Sequence, residues 1–284
     1  MSQNKLSKSK KIVQEEGYIS FLKKSLGYIL PSSMSCELML LLNERSIALP
    51  DRKGSWNIYE IPNLERNRKI PAVTETLSGT HLGSDRHTNM LKRMYTYDDF
   101  VEVEKNDIVV DVGAYVGGFS FYASQLARAV ICIDPFASVD DSLRTNTSNL
   151  ENVSVVPKAA LDKSGSITIN LSKRPSKTSI LSPKTGSNNR SVQVASDTVP
   201  NIVRNQGFES IDYLKVEGEG VEPEILRGAL EDRMSIKKIA VDAGPERDGE
   251  KVIDESIQIL ESNGYSCKVK DSSPYWGENI VFAK

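Results

Sequence analysis

The sequence predicts an α/β protein built around a mostly parallel sheet. Three observations carry this. From Asp107 onward, short apolar runs of strand length alternate with helical segments, the pattern of successive βαβ units. A glycine-rich turn, Asp111-Val-Gly113-Ala-Tyr-Val-Gly117-Gly118, follows the first run. An acidic residue, Asp134, closes the second run, 21 positions after Gly113. Together these describe an adenosine-binding half-sheet: the glycines let backbone approach a ligand, the helix start offers unpaired N–H groups, and the carboxylate can accept from both ribose hydroxyls.

Taken in order, Ile108–Val112 is a continuous apolar strand and Phe119–Ala129 a helix. Val130–Ile133 is the second strand, followed by a polar helix over Ser142–Leu150 and a third strand at Val153–Val156. Ile167–Leu171 and Val192–Ala195 are added strands flanking a polar loop, Lys173 to Arg190. Ile211–Val216 is a fourth buried strand with its helix at Glu222–Leu230, and Ile236–Val241 a fifth with its helix at Val252–Asn263. Ser266–Val269 and Asn279–Phe282 close the chain as a hairpin-like pair. The chain therefore reads as an N-terminal extension, residues 1–100, and an α/β domain, 101–284. Pro50, Pro62 and Pro71 interrupt any period in the extension, while Tyr18, Phe21, Leu22 and Leu26 recur at helical spacing among lysines. That stretch predicts a helix packed on a core or, as the alternative, a peripheral contact with an anionic membrane.

Composition excludes several classes. The 284 residues are 39% hydrophobic and 26% charged, the range of soluble globular chains. Lys+Arg 36 against Asp+Glu 38 leaves a net charge of -2, which argues against a nucleic-acid partner bound through bulk positive charge. Three scattered cysteines without a C-x-x-C pair point to a reducing, cytoplasmic setting rather than a disulfide or zinc framework. Only His81 and His87 are histidines, so histidine-cluster chemistry is excluded. They lie in a loop, 79–87, that reads as surface or as a lid.

The spacing of the turn selects the cofactor. Dinucleotide enzymes use G-x-G-x-x-G, which seats a pyrophosphate on the helix. Here the order is G-x-x-x-G-G after Asp111. The looser turn has room for an amino-acid moiety, and Asp111 can face an ammonium group, which favours S-adenosyl-L-methionine. A nicotinamide-dependent oxidoreductase and a non-catalytic binding module on the same fold are the alternatives.

A second motif, Lys215-Val-Glu217-Gly-Glu219-Gly-Val-Glu222, ends the fourth strand and is followed by Leu226-Arg-Gly228-Ala229. With Asp111–Gly118 and Ile133-Asp134-Pro135, this ordered set resembles the FkbM family of S-adenosylmethionine-dependent methyltransferases. The resemblance spans roughly 105–245. The family's glutamate before proline is Asp134 here, the aspartate of its K-I-D is Glu217, and Gly218 is extra. The resemblance implies a class I methyltransferase, Rossmann-like sheet of seven strands with the last antiparallel, and O-methylation of hydroxyls on sugars, glycolipids or polyketides. It implies cofactor-binding positions at Asp111, Gly113, Ala114, Tyr115, Gly117, Gly118, Asp134, Pro135 and Ala160.

Methyl transfer from a sulfonium needs an aligned acceptor and a base for the hydroxyl proton. Glu217 is the first candidate base, with Glu222 and Asp242 as alternatives; Glu219 and Glu222 can equally serve the start of the following helix. Glu217, Glu219 and Asp242 could instead hold Mg²⁺, although no metal is assigned. Tyr95, Tyr97, Asp98 and Asp99 precede the first strand and could close over the cofactor. The expected partner is a small-molecule, glycan or glycolipid acceptor.

Overall fold

The structure is a computed structural model, and the residues it describes are 48–50, 56–58, 85–138, 142–172, 187–244, 246–247, 250–270 and 279–284. The lysine-rich start, His81 and most of the 173–190 loop lie outside them. The chain divides into two units, Met1–His87 with Pro274–Trp276, and Thr88–Ser273 with Gly277–Lys284. In the first, β1 (Ala48–Pro50) pairs antiparallel with β2 (Trp56–Ile58), Ala48 opposite Ile58.

The rest of the chain runs as helix α1 (Asp85–Met94), β3 (Ile108–Val112), α2 (Gly118–Ser124), β4 (Ala129–Ile133), a 3₁₀ turn (Pro135–Ser138), α3 (Ser142–Thr147) and β5 (Val153–Val156). There follow β6 (Ala159–Ala160), β7 (Gly165–Ser172), β8 (Ser187–Asp197), α4 (Val199–Asn205), β9 (Ser210–Val216) and α5 (Glu222–Glu231). The chain closes with β10 (Ser235–Asp242), β11 (Glu246–Arg247), β12 (Glu250–Lys251), α6 (Ile253–Ser262), β13 (Cys267–Lys270) and β14 (Ile280–Ala283). The main sheet has seven strands in the order β13-β14-β10-β9-β3-β4-β5. Strands β5, β4, β3, β9 and β10 are parallel, and β14 is antiparallel to both β10 and β13. This is the Rossmann-like class I methyltransferase fold that the motifs implied. The added strands form a separate three-stranded sheet, β6-β8-β7.

Every residue of β3 is buried, as expected of a parallel strand covered on both faces. Alternate residues face different cores. Val110, Val112, Leu214, Val216, Ile239 and Val241 pack under α4, α5 and α6, whereas Val109, Cys132, Tyr213, Ala240 and Phe282 pack with Phe119, Tyr122 and the upstream residues Tyr95, Val101 and Val103. Two helices differ from the sequence reading. Helix α2 stops at Ser124 because Arg128 and Ala129 already donate to the Asp107 carbonyl as β4 begins. Helix α4 was not expected; Thr198 caps it by accepting from Asn201 N at 3.3 Å, with proline in its first turn. Among the described residues no helix is long and apolar enough to cross a membrane.

Candidate active site

Register puts the motif residues in one row. Val112 is level with Ile133 on one side and Val216 on the other, and Val216 is level with Val241. The next residue of each strand, Asp134, Gly113, Glu217 and Asp242, therefore stands at the carboxyl rim of four adjacent strands. Parallel α/β sheets bind ligands at this edge.

Beneath the row lies a buried ion pair. Asp111 and Lys215 are register partners on β3 and β9, with side chains 0% and 3% exposed. Lys215 Nζ is 3.0 Å from Asp111 Oδ1 and 2.9 Å from Glu217 Oε2, and donates to the Gly113 carbonyl at 2.9 Å. The Asp111 contact is an ion pair without hydrogen-bond alignment, since Oδ1 has no hydrogen-bond partner; Oδ2 accepts from Ser120 Oγ at 2.5 Å. Burial works against the Lys215 charge, but the two carboxylates overcome it and hold the ammonium above the ordinary lysine range. Asp111 is thus buried, with Ser120 Oγ on one oxygen and the Lys215 ammonium beside the other.

Tyr95 joins this cluster from upstream. Its hydroxyl donates to Glu217 Oε2 at 2.9 Å, and its carbonyl accepts from Tyr213 Oη at 2.5 Å. The ring is 1% exposed and stands edge-on to Phe119. Tyr95 is therefore part of the core under the rim, not a cover. Tyr97 packs edge-on to Phe282 and Phe100, and Asp98 and Asp99 are exposed.

In the glycine turn, Gly113, Tyr115 and Gly117 all have positive φ, at 74°, 51° and 89°. The missing side chains accommodate protein. A Cβ on Gly113 would stand 1.9 Å from the Glu217 carbonyl oxygen, and one on Gly117 would press on Leu143 and Thr147 of α3 at 3.1 and 3.2 Å. At both glycines the space of a side chain is taken by other residues of the protein. Ala114 is buried and its carbonyl takes the Gly117 N–H at 2.8 Å, closing the turn before Gly118 starts α2. Asp134 supports the same turn: Oδ2 accepts from Tyr115 N at 2.6 Å and Oδ1 from Phe136 N at 2.8 Å, across Pro135. Burial raises its carboxyl to about 6 against those two hydrogen bonds.

The remaining acids differ sharply. Glu222 is 0% exposed and accepts from Gly218 N at 2.7 Å and Gly220 N at 3.0 Å. It ties the β9–α5 turn, in which Glu219 and Gly220 have positive φ. A carboxylate so enclosed is a structural acceptor, and this tells against Glu222 as a base. Asp242 is 6% exposed and accepts from Gly244 N at 3.1 Å. Burial and then the Glu217 charge raise it to about 7. Ala160 lies in β6, level with Asp197 of β8, buried in the core beside Val156 and Val199. Among the described residues no three His, Cys, Asp or Glu side chains are grouped to hold a metal.

Residues 111–267 match the Methyltransferase FkbM domain, more than half of the chain. The chain belongs to the FkbM methyltransferase family. No curated protein matches it. Among solved structures it is similar to a methyltransferase FkbM from Methylobacillus flagellatus KT, 15% identical with a TM-score of 0.48, over 68% of this chain and 48% of that one. It is also similar to fibrillarin from Aeropyrum pernix, 12% identical with a TM-score of 0.47, over 85% and 96%. This chain thus spans about half the length of the Methylobacillus protein.

The cofactor of an FkbM methyltransferase is S-adenosyl-L-methionine, and the donor set here fits it. Each Asp134 oxygen has one backbone N–H, leaving a lone pair apiece at the rim for a vicinal diol. The rim carboxylates and the turn are legible in the motifs. The contact of Tyr95 is not, because a single tyrosine ahead of the first strand has no pattern to mark its partner.

Proposed function

We propose that this FkbM methyltransferase transfers a methyl group from S-adenosyl-L-methionine to a hydroxyl of a sugar, in a glycan or glycolipid. The observation that supports this reading is the row Asp134, Gly113, Glu217, Asp242, which sets a diol-binding carboxylate and a buried, near-neutral carboxyl on one rim. An oxygen acceptor must lose a proton as it is methylated, and a base is most effective when its pKa lies near the working pH. When bound, the cofactor supplies an electrophilic methyl group on a sulfonium whose leaving group needs no protonation. The chain's own residues hold the ribose at Asp134, keep the turn rigid through Asp134 and Gly113, and present acidic side chains to the acceptor hydroxyl. A polyhydroxylated acceptor suits such a rim because every hydroxyl can donate to a carboxylate. Unpaired Cys132 and Cys267 support a cytoplasmic setting, and the balanced charge supports an acceptor other than nucleic acid.

Calorimetric titration with S-adenosylhomocysteine tests the cofactor half, with NAD as the control. The expected Kd is micromolar, about -8 kcal/mol, with no heat from NAD, and Asp134→Asn should weaken it about tenfold or more, ~1.4 kcal/mol. Undiminished affinity in that variant would remove Asp134 from the site. Transfer of labelled methyl to sugar hydroxyls tests the acceptor half. Label appearing only on nitrogen or nucleic-acid acceptors would overturn it.

A further inference from the structure

Tyr95 stands outside the segment that matches the family domain, yet its hydroxyl reaches the centre of the rim. The two carboxylates it lies near are differently held. Glu217 Oε2 takes two donors at 2.9 Å, Tyr95 Oη and Lys215 Nζ, and the Lys215 ammonium is also 5.5 Å from the Tyr95 ring centroid. Asp242 takes one, Gly244 N on Oδ1, so its Oδ2 has no hydrogen-bond partner among the described residues. The two are one position beyond the register pair Val216 and Val241 on neighbouring strands. Their side chains leave the sheet on the same face, that of Lys215 and Ala240, because strand residues two apart share a face.

We propose that Tyr95 is a positioning residue of this site: with Lys215 it pins the Glu217 carboxylate beside Asp242, and Asp242, not Glu217, takes the proton of the acceptor hydroxyl. This rests on the methyltransferase reading above. As the acceptor oxygen bonds to the methyl carbon, the carbon–sulfur bond breaks and the sulfonium becomes a neutral thioether. The hydroxyl proton passes to the Asp242 carboxylate and later to water. The ionisable groups whose charge couples to that of Asp242 are Glu217, Glu219 and Glu222 from the β9–α5 turn, Lys215 within β9 and Tyr95 from upstream, while its β14 neighbour is the uncharged Ile280. A pinned like charge keeps the proton affinity of Asp242 high, and burial adds to it. Released from Tyr95, the partly exposed Glu217 can swing to solvent and weaken that influence.

The test reads Asp242 directly, without cofactor or acceptor. In the full chain with aspartate carboxyl carbons labelled, the Asp242 signal is identified by its loss in Asp242→Asn and followed by NMR across pH 5–9. Glu217→Gln should lower its midpoint by about one unit or more, and Tyr95→Phe by roughly half a unit, in the range of single charge and hydrogen-bond effects. The double variant should fall no further than Glu217→Gln alone, since Tyr95 acts through Glu217. A Tyr95→Phe midpoint equal to the parent's, or an additive double variant, would overturn the positioning role, as would a variant that only melts earlier. In the transfer assay, Asp242→Asn should lose about a hundredfold or more in kcat with S-adenosylhomocysteine affinity kept, whereas Glu217→Gln should lose less in kcat than Asp242→Asn and move the acid limb of its pH profile to lower pH. The reverse pattern would make Glu217 the base. Failure of the cofactor reading shows separately, as absence of S-adenosylhomocysteine binding by the parent chain.

Discussion

At the scale of single residues, the same glycine that marks a cofactor turn is held in place by the protein itself. Gly113 has φ 74° and faces the carbonyl of Glu217, a residue whose backbone N–H donates to the Val112 carbonyl at 3.1 Å. The Glu217 carbonyl cannot retreat without breaking the junction of β3 and β9. Gly113→Ala is therefore expected to destabilise the fold by about 3 kcal/mol, combining backbone strain and overpacking, read as a lowered denaturant midpoint. A loss below about 1 kcal/mol would mean that the end of β9 yields easily. It follows that a Gly113 variant is a poor probe of cofactor binding; Asp134→Asn keeps the side-chain size but can accept only one of the Tyr115 and Phe136 N–H groups, so its unfolding midpoint is to be read beside its affinity.

Among elements, what the sequence showed and what it hid differ by kind. The buried parallel strands were legible to within one residue, because an apolar run bounded by charge has few other destinies in an α/β chain. Helix α4 was hidden by Pro200, which reads as a breaker but sits in the first helical turn, where it is tolerated. The signal that could have found it was Thr198 ahead of that proline. Thr198→Ala should cost about 1 kcal/mol, measured by thermal or urea unfolding, with no change in S-adenosylhomocysteine affinity. Helix α5 was read correctly, but the reason for its Gly228 was not visible: a Cβ there would lie 2.1 Å from the Leu161 carbonyl oxygen, so the helix rests directly on the segment after β6.

Taken as a whole, the molecule carries a pH signature. Burial leads in raising Asp134 to about 6 and Glu222 and Asp242 to about 7. An acid raised on folding binds protons more readily in the native state than in the unfolded chain, so stability declines as pH climbs from about 4 through about 7. Asp197 works in the opposite sense. Its hydrogen bonds from Ser164, Lys158, Asn201 and Thr198 outweigh its burial and bring it to about 2, so its contribution is lost only as pH falls below about 4. The thermal midpoint should therefore be higher at pH 5 than at pH 8, by roughly 2–4 °C per kcal/mol. An equal or higher midpoint at pH 8 would show that the three carboxyls ionise without cost.

By itself the sequence determined the fold class, the family and the rim residues, because strand periodicity and the order of glycines and acids are local properties of the chain. Only the tertiary structure decided which acid does what. Glu217, Glu222 and Asp242 are similar as letters, but among the described residues one is pinned by Lys215 and Tyr95, one closes a turn and one accepts a single backbone N–H. Those differences come from burial and from donors 122 residues away along the chain, and no local pattern records such distances.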